Sequence, residues 1–212
     1  MSAETKFQPQ NLSTVALPCR MTYEEFLNCP DIESPAEWVG GEVILMTPLG
    51  TQHQRLVGFL YMILNSFLEA HPVGEVFFSP IQMKTGPDLA GREPDLVFIS
   101  SERAGQLKEK FLDGPADLAV EIISPESRRR DRVEKFSEYE RGGVREYWLI
   151  DPLQNKVDFY ALNASGKYEP ISVGDDQVMR SRVLDGFWIK VDWLWQQPLP
   201  RRMEIVKQWE TA

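Results

Sequence analysis

The run Asp117-Leu118-Ala119-Val120-Glu121-Ile122-Ile123-Ser124 is as apolar as a central strand gets, yet Glu121 stands in its middle. An ionised carboxylate in that setting is costly unless a cation or hydrogen bonds offset it. Strand alternation puts Glu121 on the face of Ala119 and Ile123, opposite Leu118, Val120 and Ile122. A second acid, Asp95, follows Pro94 and heads the apolar run Leu96-Val97-Phe98-Ile99. Carboxylates on neighbouring strands of one sheet can converge on one side, and hard oxygen donors of this kind suit Mg²⁺ or Mn²⁺. The plainer account is a strand cap at Asp95 and an arginine partner for Glu121.

A phosphate substrate would also call for a lysine close by. Lys135 fits, because Asp131, Lys135 and Tyr139 fall at i, i+4 and i+8 along one helix face. A helix that follows the Glu121 strand folds back beside it, so Lys135 can reach the acidic face. The alternative is an Asp131–Lys135 surface pair, worth a few tenths of a kcal/mol. Arg128, Arg129, Arg130 and Arg132 cluster at the N-terminal end of the same helix. Cations there oppose the helix dipole at up to about 1 kcal/mol each. Phosphate contact explains the run somewhat better than solvation does in an acidic chain. His53 shares a helix face with Leu56 and Leu60, so it is either a satisfied, partly buried histidine or a group that orients Glu42 or a substrate phosphate. There is no P-loop, no Rossmann glycine fingerprint and no nucleophile elbow.

The elements that must position these residues follow from pattern. Residues 1–20 are polar, carry Pro9 and Pro18, and predict a flexible arm. Thr22 and Glu25 have capping-box spacing for a short helix ending before Pro30. Trp38 to Met46 reads as two strand pieces around Gly40-Gly41. Thr51 and Gln54 open a second capping box and a helix to about Ala70, with the apolar stripe Leu56, Leu60, Ile63, Leu64 and Phe67. Strands are expected over Glu75–Lys84, Asp95–Ser100, Asp117–Ser124, Glu146–Ile150, Lys156–Leu162 and Lys167–Val173. The polar segment from Arg128 is expected to be helical in its second half and to stop at Gly142-Gly143. Residues 21–196 then form one mixed α/β domain, and residues 197–212 a tail whose short helix, with Met203, Val206 and Trp209, looks like a docking surface.

Composition narrows the function. The chain has 212 residues and a formal net charge of −9, against a protein that coats nucleic acid non-specifically. An enzyme that meets phosphate at a local basic patch remains compatible. Cys19 and Cys29 are its only cysteines, which excludes a disulfide framework. No apolar run approaches the ~20 residues of a membrane helix, and the N-terminus lacks the pattern of a signal peptide. The expectation is a cytoplasmic protein without membrane contact.

Several ordered blocks resemble a known family. They are Gly41-Glu42 with Met46-Thr47-Pro48, His53, Glu93-Pro94-Asp95, Val120-Glu121-Ile122-Ile123-Ser124-Pro125, Asp131 with Lys135 and Tyr139, and Gly143 to Pro152. From about Thr22 to Trp195 the chain is similar to the Uma family of restriction-endonuclease-like proteins, within the PD-(D/E)XK nuclease superfamily. The resemblance implies an α/β fold: a mixed β-sheet core of order αβββαβ flanked by helices, with an added N-terminal hairpin and C-terminal strands. The superfamily's usual motif lysine is Ile123 here, and the Uma pattern places a lysine on the following helix, at Lys135. The resemblance further implies that Asp95, Glu121 and the Ile122 carbonyl hold Mg²⁺ (or Mn²⁺), and that Glu42 joins the acidic cluster. On residues alone, Glu42 equally suits a solvated strand start. Lys135 would orient the attacking water, and Tyr139 would hold the lysine stem or a phosphate oxygen, or simply pack. The implied function is that of a metal-dependent endonuclease acting on nucleic acid, DNA foremost, with a homodimer supplying a second site for a second strand. The rival is a nuclease-fold binding or assembly module that no longer cuts. Ile123 at the lysine position, the acidic charge and the tail tryptophans Trp188, Trp193, Trp195 and Trp209 leave room for it.

Overall fold

Thr22 starts the first helix, α1 (Tyr23–Asn28), through the reciprocal Thr22–Glu25 box that its spacing predicts. The computed structural model describes residues 20–32, 35–46 and 49–211; the expected arm over residues 1–19, and Thr47-Pro48, lie outside them. β1 (Ala36–Val39) and β2 (Glu42–Leu45) pair as a hairpin around Gly40 and Gly41, whose φ values of 58° and 97° are those a tight two-residue turn demands. α2 (Thr51–Ala70) follows, with Leu56, Leu60, Ile63, Leu64 and Phe67 all buried. Thr51 is not its cap, contrary to expectation. Gly50 takes the extended N-cap conformation without a side-chain bond, so Thr51 is already helical.

The strand expected over Glu75–Lys84 is two strands in different sheets, β3 (Gly74–Phe78) and β4 (Gln82–Lys84). Pro80 lies between them and has no N–H to continue a ladder. Then come β5 (Gly91–Arg92), β6 (Leu96–Ser100), β7 (Phe111–Asp113) and β8 (Leu118–Ile122). The next helix forms earlier than expected, from Arg128. Ser124 and Ser127 bond each other's backbone N–H reciprocally ahead of it, at 3.0 and 3.2 Å. It passes through a π-helical segment, Arg130–Lys135, into α3 (Phe136–Gly142) and stops at Gly143 (φ 87°). β9 (Glu146–Asp151), β10 (Lys156–Leu162), β11 (Tyr168–Pro170), β12 (Val178–Arg180), β13 (Trp188–Lys190) and α4 (Arg202–Glu210) complete the order.

A six-stranded sheet, β11-β10-β9-β8-β6-β3, is the centre of the molecule, parallel only between β8 and β9. Within it α2, β3, β6, β8, α3 and β9 give the αβββαβ order that was expected. A five-stranded sheet, β2-β1-β5-β4-β7, and the hairpin β12-β13 are added to it. Alternation sorts the central sheet into two faces. Leu96, Phe98, Leu118, Val120, Ile122, Trp148 and Ile150 pack with α2. Val97, Ile99, Ala119, Ile123, Tyr147 and Leu149 pack with Tyr139, Met83 and Leu112.

The tail helix closes the α2 side. Ile205 is buried there, and the Trp209 ring lies edge-on to Phe67 at 5.8 Å. Ile205 and Trp209 therefore join this core, where the sequence predicted a surface for docking, and of the residues named for that surface Met203 stays exposed. Among the described residues no helix is long and apolar enough to cross a membrane.

Candidate active site

Leu96 faces Val120 across the β6–β8 pair, so Asp95, one residue earlier, meets β8 beside Glu121 and Ile122. The Ile122 N–H donates to Asp95 Oδ2 at 2.7 Å, and His53 Nε2 lies 3.1 Å from the same oxygen. Glu121 points to the opposite face from Ile122, toward the π-helical segment and α3. Its Oε1 accepts hydrogen bonds from Lys135 Nζ and from the Tyr139 hydroxyl, each at 2.9 Å. Lys135 is only 1% exposed and has two further acidic neighbours, Glu37 Oε1 at 2.9 Å and Asp131 Oδ1 at 3.6 Å. π-Helical turns recur at functional sites, and this one carries both Asp131 and Lys135.

Glu37, fully buried on β1, anchors the far side of the lysine. Arg92 Nη1 donates to its Oε2 at 2.8 Å, and Arg130 Nε lies 3.6 Å from the same oxygen. Arg92 is itself held by both oxygens of Glu138, at 2.7 and 2.9 Å. Glu93 accepts from the Ser79 hydroxyl at 2.7 Å and from the Gln82 amide at 3.1 Å.

His53, Glu93, Asp95, Glu121, Asp131 and Lys135 line a small cavity of about 30 Å³, enough for a cation or a water or two. Its walls carry four carboxylates, Glu93, Asp95, Glu121 and Asp131, against two permanent cations, Arg130 and Lys135. The electrostatics follow from that imbalance. Burial pushes the Glu121 carboxyl well above the usual range, and Asp131 and Asp95 add to the shift against the pull of Lys135. Burial likewise raises Asp131 and Glu93. For Glu37, burial acts in the same direction but is outweighed by Lys135, Arg92 and Arg130, which together hold the group at about 2. Burial alone would lower Lys135; Glu121, Glu37 and Asp131 reverse it and hold the ammonium protonated far above its ordinary range.

Among the described residues no set of three or more His, Cys, Asp or Glu side chains is already drawn together as metal ligands. The donor chemistry nevertheless fits a hard divalent cation. Asp131 Oδ1 is buried without a hydrogen-bond partner. The bonds described above use Asp95 Oδ2 and Glu121 Oε1, and the second oxygen of each carboxylate takes no hydrogen bond from a described residue.

Residues 23–192 match the family model Uma2, described as a putative restriction endonuclease. The chain belongs to the Uma2 family. A solved structure of a putative nuclease belonging to DUF820, from Anabaena variabilis ATCC 29413, matches it with a TM-score of 0.67 at 19% identity, over 82% of this chain and 97% of that one. At that identity the likeness carries the fold, which is restriction-endonuclease-like. No curated protein matches the chain.

In this Uma2 member the fold brings Asp95, Glu121, Ile122, Lys135 and His53 to one cavity, with Arg130 on its wall and the Tyr139 hydroxyl on Glu121. The other arginines stand apart. Arg129 is exposed, and Arg128 and Arg132 are engaged by Asp151, Arg132 also by Asp158. Glu42 does not line the cavity; it is exposed at the start of β2, opposite Val39 in the hairpin. The hairpin's contribution is Glu37 instead, which sequence reasoning passed over together with Arg92. One signal was available: Glu37 is the lone charge in the strand Ala36–Val39.

Proposed function

We propose that this chain is a divalent-metal-dependent endonuclease that hydrolyses phosphodiester bonds in nucleic acid, DNA foremost. The observation that carries the reading is the meeting of Asp95 and Glu121, from adjacent strands, at a cavity where the Lys135 ammonium lies 2.9 Å from Glu121. Asp95, Glu121 and the Ile122 carbonyl would hold Mg²⁺ or Mn²⁺. Bound there, the ion supplies polarisation of the phosphate and a lowered pKa for water.

The chain's own groups do the rest. His53 and the Ile122 N–H fix one oxygen of Asp95, and Lys135 with Tyr139 fixes one oxygen of Glu121, which orients the other oxygens. Lys135 is permanently charged in this cage, so it acts as a donor rather than a base. It orients the attacking water and stabilises the charge that develops on the phosphoryl oxygens. Arg130 is the nearest phosphate partner of the arginine run. Arg129, exposed and only loosely paired with Glu134 at 4.0 Å, can turn to a neighbouring phosphate, whereas Arg128 and Arg132 would have to leave Asp151 and Asp158. Glu42 has no part in this reading. Cutting both strands of a duplex calls for two such sites, which a homodimer in the cytoplasm would provide.

Nicking of supercoiled plasmid tests the proposal. Cleavage that requires Mg²⁺ or Mn²⁺, stops with EDTA and is lost in Asp95→Ala and Lys135→Ala is the expected result. Cleavage indifferent to EDTA or to both substitutions overturns it, and so does a well-folded protein that never nicks. The last outcome favours the binding or assembly module.

A further inference from the structure

A second and much larger cavity, about 640 Å³, opens beside the first turn of α2. Its rim carries Gln52, Arg55, Asn155, Trp195, Gln196 and Gln197, over an apolar floor of Leu56 and Leu194. No carboxylate lines it, although the chain's net charge is −9. The amide and guanidinium groups are exposed, Trp195 is half-buried, and none of the six side chains hydrogen-bonds to another described residue.

The place is as informative as the lining. Gln52 precedes His53, which lines the catalytic cavity. Ile122 faces Ile150 in the parallel β8–β9 pair, so the turn after β9, which carries Asn155, lies at the same end of the sheet as Asp95 and Glu121. Arg128 and Arg132, bonded to Asp151 at the end of β9, stand at that same end.

We infer that this cavity takes a nucleobase of the bound strand, unstacked next to the position that is cut. Four primary amides offer the paired donors and acceptors that base edges present. Trp195 offers a stacking face, and Arg55, the only charge, suits the adjoining phosphate. The volume lies in the range of small-ligand sites. The inference rests on the nuclease reading for the identity of its ligand as a nucleic-acid strand.

Fluorescence anisotropy in EDTA, where no metal-dependent cleavage intervenes, tests it with two labelled probes: oligo(dA) and an abasic strand of equal length. The wild-type protein should bind oligo(dA) about tenfold more tightly than the abasic strand. That ratio should fall toward one in Trp195→Ala. It should fall equally in the double variant Gln52→Ala/Gln196→Ala, whose exposed positions leave folding intact. Equal affinity for both probes in the wild type overturns the inference, as does a base preference that the substitutions leave untouched. A base preference without plasmid nicking sustains the pocket and removes the nuclease reading; nicking without a base preference does the reverse.

Discussion

Glu37 and Glu121 lie at the same 2.9 Å from the Lys135 ammonium, and both are buried, but their surroundings are opposite. Glu37 is matched by cations: Lys135 and Arg92 in direct contact and Arg130 at its edge, enough to hold its carboxyl at about 2. Glu121 shares its one bonded oxygen between Lys135 and Tyr139, has no arginine, and is pushed up by burial with Asp131 and Asp95 adding to it. One side of the lysine is thus electrostatically settled and fixes the ammonium in place. The other is short of positive charge, which a divalent cation or the approach of a protonated group can relieve. In the proposed function, stability is concentrated on the Glu37 side and chemistry on the Glu121 side.

Removing the shared lysine should break both halves at once. Lys135→Met leaves Glu37, Glu121 and Asp131 facing one another, which should cost about 3–5 kcal/mol in urea unfolding and abolish nicking. Glu37→Gln should chiefly damage the settled half. A carboxyl moved from its ordinary 4.5 to about 2 stabilises the fold by about 3 kcal/mol near neutral pH. Because that pKa is depressed, the contribution is complete above pH 4.5 and is lost as pH falls toward 2. The gap between wild type and variant in urea unfolding should therefore close in that window.

Glu121→Gln should sharpen the contrast. Its folded pKa is raised, so the charged form is disfavoured in the native state, and the penalty grows as pH rises through the carboxylate range. Glutamine keeps an acceptor for Lys135 and Tyr139 without the charge. The variant should melt no lower than wild type, with an advantage that widens on going from acid to neutral pH, while nicking falls at least ~100-fold. A smaller effect is expected at His53→Ala, which frees Asp95 from its neighbour. Activity should drop about tenfold and stability by about 1 kcal/mol, read from nicking rates and urea midpoints. Arg129→Ala, on a side chain that is 88% exposed, should leave stability within about 0.5 kcal/mol and change only the salt dependence of nucleic-acid binding.

Much of this was visible in the sequence, for a physical reason. Glu121 interrupts an apolar strand and Asp95 heads another, where a charge is costly, and Lys135 shares a helical spacing with Asp131 and Tyr139. Local rules reach such residues. The αβββαβ core was legible too, because α2, β6, β8 and β9 carry full apolar periods. The Glu37 side was not. Arg92 sits in a strand of two residues, and its partners Glu37 and Glu138 lie 55 and 46 positions away, so no local pattern links them. Glu42 drew attention as the acid that opens a strand, while the inward-facing Glu37 is set by pairing of the hairpin with β5, through Trp38 and Gly91. The same shortness hid β5 and β7, and proline chemistry divided the strand expected from Glu75.

Calorimetric titration with Mn²⁺ of wild type, Glu121→Gln and Glu37→Gln, each first shown to be folded, asks whether the Glu121 side holds the cation. Saturable binding is expected in wild type, with its loss in Glu121→Gln and its survival in Glu37→Gln. Absence of binding in wild type, or equal loss in both variants, would contradict this.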